Sequence, residues 1–276
     1  MNLEKEDYVD PRCVLCGKPG EVQPTEPVPM DRILDRLRIY EDANDWEKAE
    51  RHLLYWLAEA EQNGDLRGRL MLNNELMGFY RKQGDREKAI AHAEKAESLV
   101  TVLGMEETVT AGTTWVNIGT VREAFGDPAA GLTFFRKARV NYERLLPRED
   151  SRLAGLYNNM ALALTAVGDY EEAGKLFRVA LDVLERQGNG QLEQAITWLN
   201  MADALCAADG AEGGEGTTEE TIEEYLSRAM SLLDTPEIPR NGYYAFVCEK
   251  CAPVFGHYGY FLQEAELNRR VCEIRG

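Results

Sequence analysis

The sequence contains no apolar run of the roughly 18–20 residues that a membrane-spanning helix needs. It is also poor in positive charge, because 31 Lys and Arg stand against 48 Asp and Glu and give a formal net charge of −17. Proteins that bind nucleic acids or anionic membrane surfaces need basic residues to neutralise phosphate groups. The sequence therefore predicts neither a nucleic-acid partner nor a membrane partner, and its acidity favours neutral or basic partners.

Motifs for common enzyme chemistry are absent as well. The sequence has no P-loop, nucleophile elbow, HExxH helix or dinucleotide-binding fingerprint. Its three histidines (His52, His92 and His257) are scattered, and none of them lies in a Ser/His/Asp motif. We therefore expect a protein that is not an enzyme and that needs no cofactor.

The amino-terminal stretch MNLEKEDYVD is charged and lacks the apolar segment of a secretory signal. Six cysteines in 276 residues without such a signal are typical of reduced thiols in the cytosol. The sequence therefore predicts a cytoplasmic location.

Four short segments of the sequence resemble one another. NDWEKAERHL, GDREKAIAHA, GDPAAGLTFF and GDYEEAGKLF begin at Asn44, Gly84, Gly126 and Gly168, at spacings of 40, 42 and 42 residues. Gly or Asn suits the left-handed end of one helix, and the following Asp suits the N-cap of the next. Between these turns apolar residues recur at helical spacing, as in RLAGLYNNMALALTAV at 152–167. Each unit is therefore predicted to be a helix–turn–helix pair.

The repeat resembles that of the tetratricopeptide repeat (TPR) family. Residues 156–184 match best, and the slots of the family pattern hold Tyr157, Met160, Ala161, Leu164, Gly168, Asp169, Tyr170, Ala173, Phe177 and Ala180. The typical TPR period is 34 residues. The period of about 42 looks like that of kinesin light chains and of bacterial peptide-sensing regulators.

The resemblance implies an all-α, right-handed α-solenoid of about six TPR-like helix–turn–helix pairs over residues 30–276. Residues 1–29 are predicted to be a Pro-rich, extended N-terminal tail. Residues 208–220 are a Gly-rich, acidic insertion that we expect to be mobile, with Thr217 and Glu220 in a capping box that restarts the helix. Pro253 falls inside a predicted helix and should break or kink it. The predicted pairs are 30–63, 66–103, 106–146, 150–187, 191–234 and 240–275.

The resemblance also implies a non-catalytic scaffold that binds a protein or peptide in extended form. Its concave face would be lined by the first helix of each pair. In the family, an Asn about nine residues before the turn often hydrogen-bonds the backbone of a bound peptide, and a carboxamide has both donors and an acceptor for this. The other interpretation is that these Asn side chains bond to a neighbouring helix or loop. The predicted partner-binding residues are Asn74, Arg81, Asn117, Thr120, Asn158, Asn159, Asn200 and Asp203.

Two alternatives to a plain scaffold follow from other segments. The first is a peptide-responsive regulator, or one whose Pro-rich segment 17–29 occupies its own groove. The second is an adaptor stabilised by zinc on two Cys-x-x-Cys pairs. These pairs are 232 residues apart in the sequence. The sequence therefore favours a structural role for the second pair, in which its cysteines are small apolar side chains in the core. The zinc alternative would use Cys13, Cys16, Cys248 and Cys251.

The last predicted pair is rich in aromatic side chains. We expect them to seal the end of the array, or in part to form an exposed surface for a partner or for self-association. The final stretch FLQEAELNRRVCEIRG aligns as a second helix, with Ala265 and Cys272 at the small-residue positions. The aromatic residues are Tyr243, Tyr244, Phe246, Phe255, Tyr258, Tyr260 and Phe261.

Overall fold

The structure, a computed structural model, describes residues 26–212 and 218–276. These residues form helices and their connections, and they contain no strand. The twelve helices are α1 (Met30–Asp42), α2 (Trp46–Gln62), α3 (Leu66–Lys82), α4 (Arg86–Val102), α5 (Val109–Ala124), α6 (Pro128–Leu145), α7 (Ser151–Ala166), α8 (Tyr170–Gln187), α9 (Gln191–Glu212), α10 (Thr218–Leu233), α11 (Gly242–His257) and α12 (Phe261–Arg275).

Each odd-numbered helix packs against the even-numbered helix that follows it, so the helices form six pairs. The predicted all-α solenoid of TPR-like helix pairs is confirmed. The chain divides into two compact units, Met1–Leu146 with α1 to α6 and Pro147–Gly276 with α7 to α12. In unit 1 the first helices α3 and α5 also contact one another, and in unit 2 the first helix α9 contacts both α7 and α11.

The turns within the pairs follow the predicted chemistry. Gly84, Gly126 and Gly168 adopt left-handed backbone with φ of 73°, 83° and 84°, and Asn44 does so with φ of 53°. The aspartate after each of these residues accepts a hydrogen bond from a backbone N–H in the first turn of the next helix. These local signals explain why the first helix of each of these pairs ends, and the second begins, at the Gly-Asp or Asn-Asp step.

Alanines that recur at matching places in the second helices of the repeats are buried where another helix packs on them. Ala49, Ala89, Ala138 and Ala180 are all completely buried. Ala265 and Cys272, which align with such positions, are instead exposed, and Leu267 is the one buried residue of α12. The predicted second helix is present, and these two positions are exposed because no further helix of the described chain packs against its outer face.

Helices α5 and α6 approach one another through glycines. A Cβ atom added at Gly112 would lie 2.6 Å from the ring of Tyr142, and one added at Gly119 would lie 2.5 Å from the ring of Phe135. A Cβ atom at Gly131 would lie 2.9 Å from the carbonyl oxygen of Gly119. Side chains at these positions would therefore push the two helices apart.

The segment before α1 is fixed to the turn between α2 and α3. The backbone N–H of Val28 donates to Oδ2 of Asp65 at 2.9 Å, and Oδ1 of the same carboxylate accepts from the N–H of Gly68 at 2.8 Å. Residues 1–25 lie outside the described residues, and so does most of segment 17–29 that the regulator alternative places in the groove.

Replacing Gly68 by alanine should detach this segment. The new Cβ atom would lie 2.5 Å from a methyl group of Val28 and 2.4 Å from Oδ2 of Asp65. We expect unit 1 to lose about 1–2 kcal/mol of stability through overpacking. Thermal melting and the rate of proteolytic cleavage before residue 30 would measure this. Gly174→Ala is the control, and cleavage no faster than in the native chain would contradict the prediction.

Two predictions about unit 2 need correction. Helix α9 extends to Glu212, five residues into the predicted insertion, whereas Thr217 of the predicted capping box lies outside the described residues. Helix α11 passes through Pro253 without a break and ends at His257. The predicted break is therefore absent, although Pro253 has no N–H to donate to the carbonyl group of Glu249.

Candidate functional site

The first helices of the pairs carry the predicted binding residues, and Asn74 on α3 is the most buried of these, with 3% of its surface exposed. Its Nδ2 donates to the carbonyl oxygen of Leu70 at 3.0 Å and to Oγ1 of Thr114 at 3.1 Å. Its Oδ1 accepts from Nδ2 of Asn117 at 3.0 Å. Asn74 therefore links α3 to α5 with both ends of its carboxamide, as the structural interpretation of the Asn residues predicts.

Asn117 on α5 differs from Asn74 because it is only half-buried. Its Nδ2 bonds to Asn74, which fixes the orientation of the carboxamide. Its Oδ1 has no hydrogen-bond partner among the described residues. The Nδ2 of Asn117 is therefore used in a hydrogen bond within the protein, and its Oδ1 can still accept one from a ligand.

Unit 2 contains a second pair of linked carboxamides. Nδ2 of Asn200 on α9 donates to Oδ1 of Asn158 on α7 at 3.0 Å. Both residues are half-buried, and in the described structure Oδ1 of Asn200 and Nδ2 of Asn158 have no further partner. The neighbouring Asn159 is also half-buried, lies outside this pair and has an interaction of its own.

The remaining predicted residues of unit 1 lie near the ends of α3 and α5. Thr120 is half-buried, and its hydroxyl group donates to the carbonyl oxygen of Val116 at 2.9 Å. Arg81 is also half-buried, and burial lowers the pKa of its guanidinium group although the negative charge of Glu123 opposes this. Among the described residues, the guanidinium group has no hydrogen-bond or ion-pair partner.

Glu123 near the carboxyl end of α5 is half-buried, and no pattern in the sequence distinguishes it from other glutamates. Burial raises the pKa of its carboxyl group to about 7, and the positive charge of Arg81 only partly offsets the effect. Helix α6 covers the stem of the side chain, because a Cβ atom at Gly131 would lie 3.7 Å from that of Glu123. Most glutamates in a sequence are exposed in the folded protein. Only the packing of α6 reveals that the Glu123 side chain is partly buried.

Asp203 on α9 is held by α11. The hydroxyl group of Tyr258 donates to Oδ1 of Asp203 at 3.0 Å, and the hydroxyl group of Tyr243 donates to Oε1 of Glu193 at 2.6 Å. Two tyrosine–carboxylate bonds therefore join these helices, and the Asp203 carboxylate already has one partner.

The second Cys-x-x-Cys pair lies in the core of unit 2. Cys248 and Cys251 are 0% and 1% exposed and pack with Tyr244, Phe255 and Leu267. Burial raises the pKa of the two thiols to about 11 and about 12, so both are protonated at neutral pH. Cys13 and Cys16 lie outside the described residues, among which no group of three or more potential metal ligands occurs.

The aromatic residues of the last pair divide into two groups. Tyr244 and Phe255 are buried in the core, and Tyr258 and Tyr260 are partly buried against it. The exposed group consists of Tyr243, Phe246 and Phe261, with 42%, 43% and 68% of their surface exposed. The rings of Tyr243 and Phe246 stack with their centroids 6.3 Å apart.

Neutral His92 holds α4 against α3. Its Nδ1 lies 2.8 Å from Oδ1 of the buried Asn73, and its ring stacks on Tyr80 with the centroids 5.5 Å apart. Burial lowers the pKa of His92 from 6.5 to about 4. The folded chain therefore resists protonation of this residue.

Protonation of His92 should therefore oppose the folding of unit 1, whereas protonation of Glu123, whose pKa is raised, acts in the opposite direction. Between pH 6.5 and pH 4 the unfolded chain binds a proton on His92 that the folded chain does not, so stability falls as pH falls through this window. We expect His92 to account for a loss of about 1–2 kcal/mol in the free energy of unfolding between pH 7 and pH 5. Urea titrations at both pH values would measure it. Equal losses in the native chain and in His92→Gln would contradict the prediction.

A family model matches part of the chain. Residues 156–192, from within α7 through α8 to the start of α9, match the model of the tetratricopeptide repeat. The helix pairs of the described chain have a TPR-like fold. No curated protein matches this sequence significantly.

Solved structures share the TPR-like fold. BtubC (BKLC) from P. vanneervenii is 19% identical, with a TM-score of 0.64 over 77% of this chain and 84% of its own. A kinesin light chain protein with TPR-like repeats from Podosopora anserina is 15% identical, with a TM-score of 0.53 over 75% of this chain and 95% of its own. At these identities the likeness concerns the fold. None of the helices in residues 26–212 and 218–276 contains an apolar stretch of the length that a bilayer-spanning helix requires.

Proposed function

We propose that this TPR-like chain is a non-catalytic scaffold that binds a protein or peptide segment in extended form. The binding surface would be the first-helix face, which we define as α3 and α5 in unit 1 and, separately, α7, α9 and α11 in unit 2. Helical repeat arrays commonly bind partners on the surface that successive repeats build together. A formal net charge of −17 favours a neutral or basic partner.

The observation that carries the proposal is that Asn117 and Asn200 have the same hydrogen-bonding arrangement. In each side chain the nitrogen is bonded to an asparagine of the preceding first helix, and the oxygen has no partner in the described structure. An extended peptide presents backbone N–H groups that such an oxygen can accept regardless of the peptide's side chains. Because the carboxamides are already oriented, binding costs little conformational entropy.

A displayed library of random peptides, selected on the full native chain, tests this proposal. We expect enrichment of peptides that bind the native chain at least tenfold more tightly than Asn117→Ala or Asn200→Ala, a difference of about 1.4 kcal/mol. Asn268→Ala on α12 is the control, because Asn268 is exposed and lies outside the first-helix face. Failure to enrich any peptide, or equal affinity for all variants, would refute the proposal.

Self-association through the last pair is a second candidate, favoured by the exposed rings of Tyr243, Phe246 and Phe261. Exposed aromatic side chains are common anchors of protein interfaces. Sedimentation velocity of the native chain should show a species that grows with concentration and that is absent from the Phe246→Ser, Phe261→Ser double variant. A native chain that stays monomeric at high concentration would rule this candidate out.

A further inference from the structure

Helix α11 presents a line of exposed side chains on the first-helix face of unit 2. Asn117 stands nine residues before the left-handed glycine that follows α5. Lys250 stands nine residues before Gly259, which is left-handed as well, so it has the corresponding position on α11. Phe246 and Tyr243 come four and seven residues before Lys250 and therefore share its side of the helix.

Two aromatic rings on this line lie between groups of opposite charge. The rings of Tyr243 and Phe246 are 42% and 43% exposed and stack with their centroids 6.3 Å apart. The ammonium group of Lys250 lies 5.7 Å from the centroid of the Phe246 ring. The hydroxyl group of Tyr243 donates to Oε1 of Glu193 on α9 at 2.6 Å. A carboxylate thus adjoins one ring and a cation adjoins the other.

Glu193 retains a free acceptor in this arrangement. The bond from Tyr243 fixes the orientation of its carboxylate, and its Oε2 has no hydrogen-bond or ion-pair partner among the described residues. Glu193 stands seven residues before Asn200, so both side chains lie on the same side of α9. Helix α9 contains no Lys or Arg that could neutralise this carboxylate from its own helix.

We propose that Glu193, Tyr243 and Phe246, which we call the Glu193 cluster, bind an arginine side chain of an extended segment on the first-helix face of unit 2. The guanidinium group would donate to Oε2 of Glu193 and stack on the exposed rings. This inference rests on the proposed function, since it names the side chain that the segment carries beside its backbone bond to Asn200.

The chemistry of the cluster selects arginine in three ways. A planar guanidinium group donates to a carboxylate and also stacks on aromatic faces, which an ammonium group does less well. The positive charge of Lys250 repels a second cation from the Phe246 end, so the cation is directed to Glu193. The formal net charge of −17 attracts a basic segment to the chain as a whole.

The register of α9 also predicts where the arginine stands in the bound segment. The seven residues from Glu193 to Asn200 rise about 10 Å along the helix. An extended chain covers this distance with about three residues. The arginine should therefore stand about three residues from the N–H group that Asn200 accepts.

Analogues of one peptide selected on the full native chain test the charge of the site. Selected peptides should share an arginine, and its replacement by citrulline, a neutral isostere, should weaken binding about tenfold or more. In Glu193→Gln this penalty should largely disappear, although the new carboxamide oxygen still accepts from Tyr243. Glu185→Gln on α8 is the matched control, because Glu185 is exposed and lies outside the first-helix face. Equal penalties in the native chain and in Glu193→Gln would overturn the inference.

Phe246→Leu tests whether the guanidinium group stacks on the rings. Leucine keeps an apolar side chain but has no aromatic face, so the citrulline penalty should shrink about two- to fivefold. Phe261→Leu is the matched control, since the ring of Phe261 is exposed on α12, outside the first-helix face. Equal penalties in Phe246→Leu and Phe261→Leu would show that the guanidinium group does not stack on Phe246.

The outcomes separate this inference from the proposed function. If the native chain enriches no peptide, the proposed function fails and the inference fails with it. If peptides are enriched and depend on Asn117 or Asn200 but carry no arginine, the scaffold function stands and the inference is wrong. If the native chain binds no peptide but self-associates, and Phe246→Leu abolishes this, a second copy covers the rings and the inference is wrong.

Discussion

Replacing Gly119 by alanine should destabilise unit 1 by about 2–3 kcal/mol. The added methyl group would lie 2.5 Å from Cε1 and 2.7 Å from Cδ1 of Phe135. Phe135 is fully buried between α5 and α6, so its ring cannot move aside without disturbing other core contacts. Urea unfolding of the native and variant chains, followed by circular dichroism, gives the change in the free energy of unfolding.

A double-mutant cycle shows whether the ring causes this loss. Phe135→Leu alone should also destabilise the chain, because it leaves a cavity beside Gly119. In the double variant the alanine methyl group occupies part of that cavity, so the combined loss should be smaller than the sum of the single losses. Strictly additive losses would show that Gly119 and Phe135 do not limit the approach of α5 and α6.

Replacing Arg270 by methionine should destabilise unit 2 by about 2–3 kcal/mol. Its guanidinium group donates to the hydroxyl group of Tyr244 at 2.8 Å, to Asp234 at 2.7 Å and to Glu266 at 2.8 Å. The side chain is only 17% exposed and joins α12 to α11 and to the end of α10. Thermal or urea unfolding would measure the loss.

Two further variants test the cause of this effect. Arg270→Lys should recover only part of the stability, because an ammonium group cannot reach three acceptors in a fixed planar arrangement. Arg275→Met removes an ion pair with Glu249 in which both side chains are about half exposed, so it should cost less than about 0.5 kcal/mol. Equal losses for Arg270→Met and Arg275→Met would contradict the account of unit 2.

The helix pairs could be predicted because their signals are local. A Gly-Asp or Asn-Asp step ends one helix and caps the next within a few residues, and Asp85, Asp127 and Asp169 act in this way. The extension of α9 to Glu212 and the passage of α11 through Pro253 were not predictable in this way. Neither feature has a local signal in the sequence comparable with the Gly-Asp step.

The sequence predicts which residues form the candidate site, but it does not predict which of their side-chain atoms are free to bind a ligand. The spacing of the asparagines selects Asn117 and Asn200, but only the neighbouring helices show that their nitrogens are engaged and their oxygens are not. In Asn74, by contrast, both Nδ2 and Oδ1 have hydrogen-bond partners within the chain. Glu123 could not be selected at all, because its environment arises from the approach of α6 at Gly131.

Affinities of one selected peptide and of its backbone N-methylated analogues test the central claim most directly. N-methylation removes one N–H donor at a time. With the native chain, methylation at one or two positions should weaken binding at least tenfold, and this penalty should disappear in Asn117→Ala or Asn200→Ala. An N-methyl scan without effect, or penalties that are unchanged in both variants, would show that these asparagines do not bind a peptide backbone.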